Sequence, residues 1–97
     1  MLFAIYAKDK PNALEVRMTN RAAHLEYVAQ LGSVVKVAGP LLADDGETLI
    51  GSLLIIEFDT GNEAEQWMAL DPYSRAGLFE SVEIHPWKWL IGAPEEE

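Results

Sequence analysis

Four consecutive apolar residues, Leu53-Leu54-Ile55-Ile56, set the tightest condition on how this chain folds. They sit within residues 49–58, which read as a strand bounded by polar turns. Successive side chains of a strand point to opposite faces, so this strand is apolar on both. A chain of 97 residues builds one domain around one core. Two helical segments, residues 13–31 and 62–70, cover only one face of a small sheet. The other face needs a cover too, and a partner subunit is the economical one.

The flanking segments supply the remaining elements. Residues 2–7 are short, apolar and aromatic, and Lys8-Asp9-Lys10-Pro11-Asn12 follows as a turn, so a first strand ends there. Residues 13–31 have helical periodicity. Asn12 is a candidate cap, with Glu15 three residues on in the capping-box position and Gly32 as terminator. At about 100° per residue, Leu14, Met18, Ala22, Leu25, Val28 and Ala29 share an apolar face, which is expected to turn inward.

Residues 34–38 read as a second strand ended by Gly39-Pro40, and the polar turn Asp44-Asp45-Gly46-Glu47 leads into the third strand, antiparallel to it. Residues 62–70 form a second helix with Ala64, Trp67 and Met68 inward. Asp71-Pro72-Tyr73 ends it, because a residue before proline is driven out of the helical region. Residues 79–90 make the last strand, in which Pro86 implies an edge or a bulge. The order βαββαβ suits an α+β ferredoxin-like sandwich, an antiparallel sheet with two helices on one face. Residues 1–92 form the domain, and residues 93–97 end as an acidic tail.

Composition narrows the partners. At 49% hydrophobic and 24% charged the chain is an ordinary globular sequence. The net charge of −9 argues against nucleic acid and anionic membrane surfaces. There is no cysteine, hence no disulfide, thiolate metal site or cysteine nucleophile. That fits a reducing compartment, and no leader or membrane-spanning run is evident, so a cytoplasmic protein is expected. There is no glycine-rich phosphate loop, no paired-cysteine motif and no serine elbow, and two widely separated histidines are not a metal signature. Neither a metal nor a cofactor is expected.

His24, on the flank of the helical stripe, is the strongest candidate for chemistry. A lone helical histidine is more often structural, but it titrates near neutrality and suits proton transfer. Asp71 strengthens the case. In a βαββαβ fold both helices lie on one face of the sheet, so a carboxylate at the end of the second can meet an imidazole on the first. Such a carboxylate fixes the tautomer and orients the ring, a standard arrangement for a general base. Equally, aspartate before proline commonly caps a turn. Arg21 sits near the centre of the apolar stripe, where a guanidinium either snorkels past the core or holds an anion at a wet cleft. Tyr73 lines the same cleft or anchors its loop. His85, interleaved with Trp87 and Trp89, reads as a packing or interface residue.

Tyr6-Ala7-x-Asp9-Lys10-Pro11, then Arg17, Arg21-x-x-His24-Leu25, Ala38-Gly39-Pro40-Leu41, Gly51-Ser52 and Asp71-Pro72-Tyr73, resemble the YciI (YCII-related) family in order and spacing, over nearly the whole chain to about Leu90. The resemblance implies a ferredoxin-like fold that dimerises as an α/β barrel, similar to the muconolactone isomerase group. It also implies a site built on a helix-one histidine and an aspartate, here His24 and Asp71. One family-like enzyme is a dehydrochlorinase acting on a chlorinated hydroxyhydroquinone. The reading from the sequence is therefore a small homodimeric acid–base enzyme acting on a small-molecule substrate. His24 is the acid/base and Asp71 its orienting carboxylate, while Arg21, Arg17 and Tyr73 bind an anionic or phenolate substrate. The alternative is a non-catalytic binding or assembly domain in which His24 and Asp71 only tie the helices together.

Overall fold

The structure, a computed structural model, describes residues 1–94; Glu95, Glu96 and Glu97, which carry the charge of the expected tail, lie outside the described residues. The elements are β1 (Leu2–Asp9), α1 (Leu14–Ala29), β2 (Val35–Leu42), β3 (Leu49–Glu57), α2 (Gly61–Ala69), the one-turn α3 (Pro72–Arg75) and β4 (Phe79–Trp87). A 3-10 turn at Gly32–Val34 joins α1 to β2. The strands form one antiparallel sheet in the order β2-β3-β1-β4. This is the ferredoxin-like α+β architecture expected from the order of elements.

The register divides the sheet into two faces. Ile5 lies opposite Leu54, Ala7 opposite Ser52 and Phe3 opposite Ile56, so these side chains share the helix-covered face. Ile5, Ala7, Leu54, Ile56 and Met68 of α2 form the core, with Val28 and Leu31 packed on it from the α1 side. On the opposite face Tyr6 pairs with Leu53, and Val37 and Ala4 pair with Ile55. Tyr6, Val37, Leu53 and Trp87 are exposed there. The consecutive apolar run of β3 therefore does serve both faces.

Two strands run further than their sequence patterns. β1 extends to Asp9, whose carboxylate is held inside the protein. β2 does not stop at Gly39-Pro40 but continues to Leu42. It is an edge strand, as is β4 with Pro86, and edges tolerate a missing ladder donor. Between β1 and β3 the backbones close tightly at Gly51, where a Cβ would overlap the Ala7 carbonyl oxygen.

The face that α1 buries differs from the apolar stripe. Leu14, Met18 and Leu25 are 48%, 53% and 47% exposed, while Arg17 and His24 are 3% and 8% exposed. The helix is rotated by roughly 100°, about one residue, from the orientation its apolar residues favour. Two polar side chains displace the stripe because each finds a buried partner, which removes the usual penalty for taking them inside. The expected cap is absent as well. Asn12 adopts a left-handed φ of 58°, and Ala13 stands at the N-cap without a side-chain hydrogen bond. α2 is capped by Thr60, whose hydroxyl accepts the Glu63 N–H at 3.1 Å. Its Ala64 and Met68 are buried, whereas Leu70 is exposed.

Candidate active site

Arg17, Arg21, His24 and Val28 recur at four-, three- and four-residue intervals, so they form one row along α1. The row faces β2, β3 and the one-turn α3. Together these elements enclose a cavity of about 440 Å³ lined by Arg17, Arg21, His24, Pro40, Leu54 and Tyr73 among others.

Asp71 joins α3 to the row. It is completely buried and caps α3, its Oδ1 accepting the backbone N–H of Tyr73 at 2.9 Å. The Nδ1 of His24 lies 2.9 Å and 3.0 Å from the two Asp71 oxygens. An ionised carboxylate only accepts, so Nδ1 carries a proton and donates it, and Nε2 of the neutral ring keeps its lone pair. Nε2 has no hydrogen-bond partner among the described residues, yet no polar side-chain atom among them is buried without one. Nε2 therefore opens on accessible space, at the cavity His24 lines. Proline at the first position of α3 presets the turn that brings Asp71 inward.

Arg17 and Asp9 make a second buried unit. Arg17 Nε donates to Asp9 Oδ2 at 2.7 Å and Nη2 to Asp9 Oδ1 at 2.9 Å, a two-pronged pair. Nη2 also donates to the Ser52 hydroxyl at 2.9 Å. Burial works against the Arg17 charge, and the hydrogen bond and charge of Asp9 more than offset it, so the guanidinium is held above its usual pKa. Tyr73 connects the two units. Its ring stacks on His24 with centroids 4.0 Å apart and planes 15° apart, and the Arg17 guanidinium lies 4.7 Å from its centroid. Burial pushes the Tyr73 phenol up, while the Arg17 and Arg21 guanidiniums pull it partly back.

The structure thus brings His24, Asp71, Arg17, Arg21 and Tyr73 to one place. Arg21 is exposed at the cavity and makes no ion pair among the described residues. His85 lies elsewhere, paired with Glu83 at 3.2 Å on the exposed surface. Asp9 and Ser52 are parts of the site that the sequence reading did not single out as functional. Their signal was parity: Asp9 alternates in phase with Phe3, Ile5 and Ala7, and Ser52 with Leu54 and Ile56, so both had to face inward. Among the described residues, no three His, Cys, Asp or Glu side chains gather closely enough to hold a metal ion.

Residues 1–88 match the model of the YCII-related domain. The protein YciI of Escherichia coli O6:H1 is 38% identical over 95 residues, covering 91% of this chain and 97% of that protein. Among solved structures, the 5-chloro-2-hydroxyhydroquinone dehydrochlorinase of Burkholderia phenoliruptrix AC1100, in complex with 2,5-dihydroxybenzoquinone, is 40% identical. Its TM-score is 0.84, and the match covers 91% of this chain and 94% of that one. A conserved protein from Methanosarcina mazei Go1 shares the fold at 12% identity and a TM-score of 0.61, over 91% and 94% of the two chains.

Proposed function

Because the chain belongs to the YCII-related domain family, we propose that it is a small cytoplasmic homodimeric enzyme that moves protons on a small ring compound. The compound carries an anionic or phenolic oxygen, and the outcome is elimination or isomerisation without a cofactor. One observation carries this reading. The His24–Asp71 pair is buried on its Nδ1 side and open to a cavity on its Nε2 side. A histidine so held is a general base of fixed tautomer, a device that contributes about 10²–10⁴-fold. The electron pair left when the proton departs either settles on a ring oxygen or expels a leaving group.

Arg21 is assigned to the oxyanion. In an acidic chain it is a cation at the cavity without a carboxylate partner among the described residues. Arg17 already spends Nε and Nη2 on Asp9 and Ser52, so its share in binding is to back the Tyr73 ring. The apolar wall of Leu25, Val28, Leu49 and Leu54 suits a planar ring. The compound bound by the Burkholderia dehydrochlorinase has that character, which makes 2,5-dihydroxybenzoquinone a rational probe.

The test is deuterium uptake. The ring C–H of 2,5-dihydroxybenzoquinone lies on the carbon between an enol C–OH and a carbonyl. In D2O an acid first delivers a deuteron to that carbon as the enol O–H is lost, giving the keto tautomer. The reverse step removes the original proton, so H is replaced by D, read by proton NMR. The wild-type chain should speed uptake at least about 10²-fold over buffer, and His24→Gln should lose that gain while remaining folded. Wild-type uptake at the buffer rate would remove the acid–base reading. It would leave a binding or assembly domain in which the pair only ties α1 to α3.

A further inference from the structure

Tyr73 does more than its burial requires. Its ring is 1% exposed, lies between an imidazole and a guanidinium, and packs edge-on against Phe79 at 6.0 Å. Packing alone would be satisfied by phenylalanine. The hydroxyl donates to no carbonyl or carboxylate among the described residues, although no polar side-chain atom among them is both buried and unpartnered. The neighbouring Arg17 and Arg21 guanidiniums can only donate, so neither can take the phenol proton. Tyr73 and His24 both line the same cavity. A buried phenol whose O–H has no acceptor in the protein, on the wall of the cavity that holds the base, has its donor free for a ligand.

We propose that Tyr73 is a second catalytic residue, the proton donor to the substrate oxygen that gains charge while His24 removes a proton. This rests on the acid–base reading above and narrows the substrate to ring compounds with a carbonyl next to an ionisable C–H. In the step, His24 Nε2 takes the proton from that carbon. The C–H electron pair becomes a new C=C bond, and the carbonyl π pair moves to oxygen. That oxygen takes the Tyr73 proton, and the O–H pair stays on the phenolate beside the two guanidiniums. Substrate becomes enol, His24 becomes imidazolium and Tyr73 phenolate, so charge balances. The reverse step restores both groups.

Asp71 ties this donor to the base. It accepts from the Tyr73 backbone N–H and from His24 Nδ1, so one carboxylate holds both the imidazole and the backbone that carries the phenol. A ligand lying against the stack would meet both. Nothing in this arrangement needs a second molecule to complete the proton circuit.

The test uses the whole chain and Tyr73→Phe, which keeps the ring on His24 and removes only the hydroxyl. Deuterium uptake by 2,5-dihydroxybenzoquinone passes through the same transition state in each direction. Tyr73→Phe should slow the enzyme's turnover by about 10²-fold, with KM changed less than about threefold and the melting temperature close to wild type. Turnover within about threefold of wild type in the folded variant would overturn the assignment, as would an equal loss traced wholly to KM. If His24→Gln abolishes uptake and Tyr73→Phe does not, the Tyr73 assignment falls alone. If the wild-type chain exchanges no faster than buffer, the acid–base reading falls and takes this one with it.

Discussion

His24 on α1 and Asp71 at the N-cap of α3, 47 residues apart in the chain, meet with Nδ1 at 2.9 Å and 3.0 Å from the two carboxylate oxygens. The contact does two jobs. It satisfies a carboxylate that is fully buried, and it leaves the imidazole with one free nitrogen on the cavity side. The first job is about stability and the second about chemistry, so substitutions at the two positions should separate them.

Asp71→Asn is the informative change. Asparagine keeps an oxygen to cap α3, so the Tyr73 N–H stays satisfied. Its amide also offers a donor toward Nδ1, which favours the other tautomer and occupies the lone pair needed at Nε2. Turnover on the probe should fall by about 10²-fold or more, with the melting temperature lowered only modestly. Asp71→Ala removes the cap and strands the Nδ1 proton, so unfolding free energy should also drop by about 1–3 kcal/mol in urea titrations.

Asp9 and Arg17 predict an asymmetry in stability. Both are almost wholly buried, and their two-pronged pair gives each a partner. Removing one leaves an uncompensated charge, so Asp9→Asn or Arg17→Met should each cost about 3–5 kcal/mol. Replacing both with apolar residues of similar volume should cost less than either single change. A double-mutant cycle by chemical unfolding reads this directly. Additive costs would mean that the pair is not coupled as its geometry requires.

The same pair explains what the sequence could and could not tell. The order of strands and helices was legible because each element carries its own period and its own turn residues. The approach of His24 and Asp71 was legible because both helices lie on one face of the sheet and the family resemblance pairs a helix-one histidine with an aspartate, while the capping role of Asp71 was open beside it. The rotation of α1 was not. Leu14, Met18 and Leu25 form the better apolar stripe, and nothing local reveals that Arg17 will find Asp9 and Ser52 across the core. Periodicity measures what a helix prefers to bury, whereas partners on other elements decide what it does bury. Similarly, Asn12 has the chemistry of a cap, but its left-handed backbone places it outside the cap position.

Gly51 should resist any side chain. A Cβ there would overlap the Ala7 carbonyl oxygen and crowd Leu41, and both contacts belong to packed strands. Gly51→Ala must push β1 and β3 apart or twist them, at a cost of about 1–3 kcal/mol. Because Ser52 follows directly and holds Arg17, the variant should also change the Tyr73 stack. Thermal melting reads the first effect, and the affinity for 2,5-dihydroxybenzoquinone, measured by calorimetry, reads the second.

Asp45 predicts an acid response confined to one hairpin. Its carboxylate accepts the Glu47 and Thr48 N–H groups at 2.8 Å and 2.9 Å and the Thr48 hydroxyl at 2.6 Å. The Thr48 hydroxyl and the two backbone donors hold its pKa at about 2, against an ordinary 3.8. A lowered folded value means that the unfolded chain binds the proton more tightly. The stabilisation is therefore full above the ordinary value near 3.8 and is lost as pH falls from there through about 2. The protection of the amides across the β2–β3 turn, their exchange rate taken relative to an unstructured chain at the same pH, should fall over that window in the wild type. Asp45→Ala should exchange faster at neutral pH and show no such step.

The open face of the sheet yields the prediction about assembly. Tyr6, Val37, Leu53 and Trp87 are exposed on it, and Ile55 lies among them. Such a face on an isolated domain is the kind of contiguous apolar surface that soluble monomers rarely leave uncovered. A second copy turning the same face inward would cover both by symmetry, since a twofold interface is self-complementary. On this reading the wild-type chain sediments as a dimer at micromolar concentration. Leu53→Lys, at the centre of the face, should dissociate it. The charge would have to be desolvated twice in a symmetric interface, once from each copy. The substituted side chain points away from the helices, so the fold itself should survive with near-native circular dichroism. A wild-type chain that sediments as a monomer at that concentration would reject the sheet-to-sheet dimer as the cover of this face.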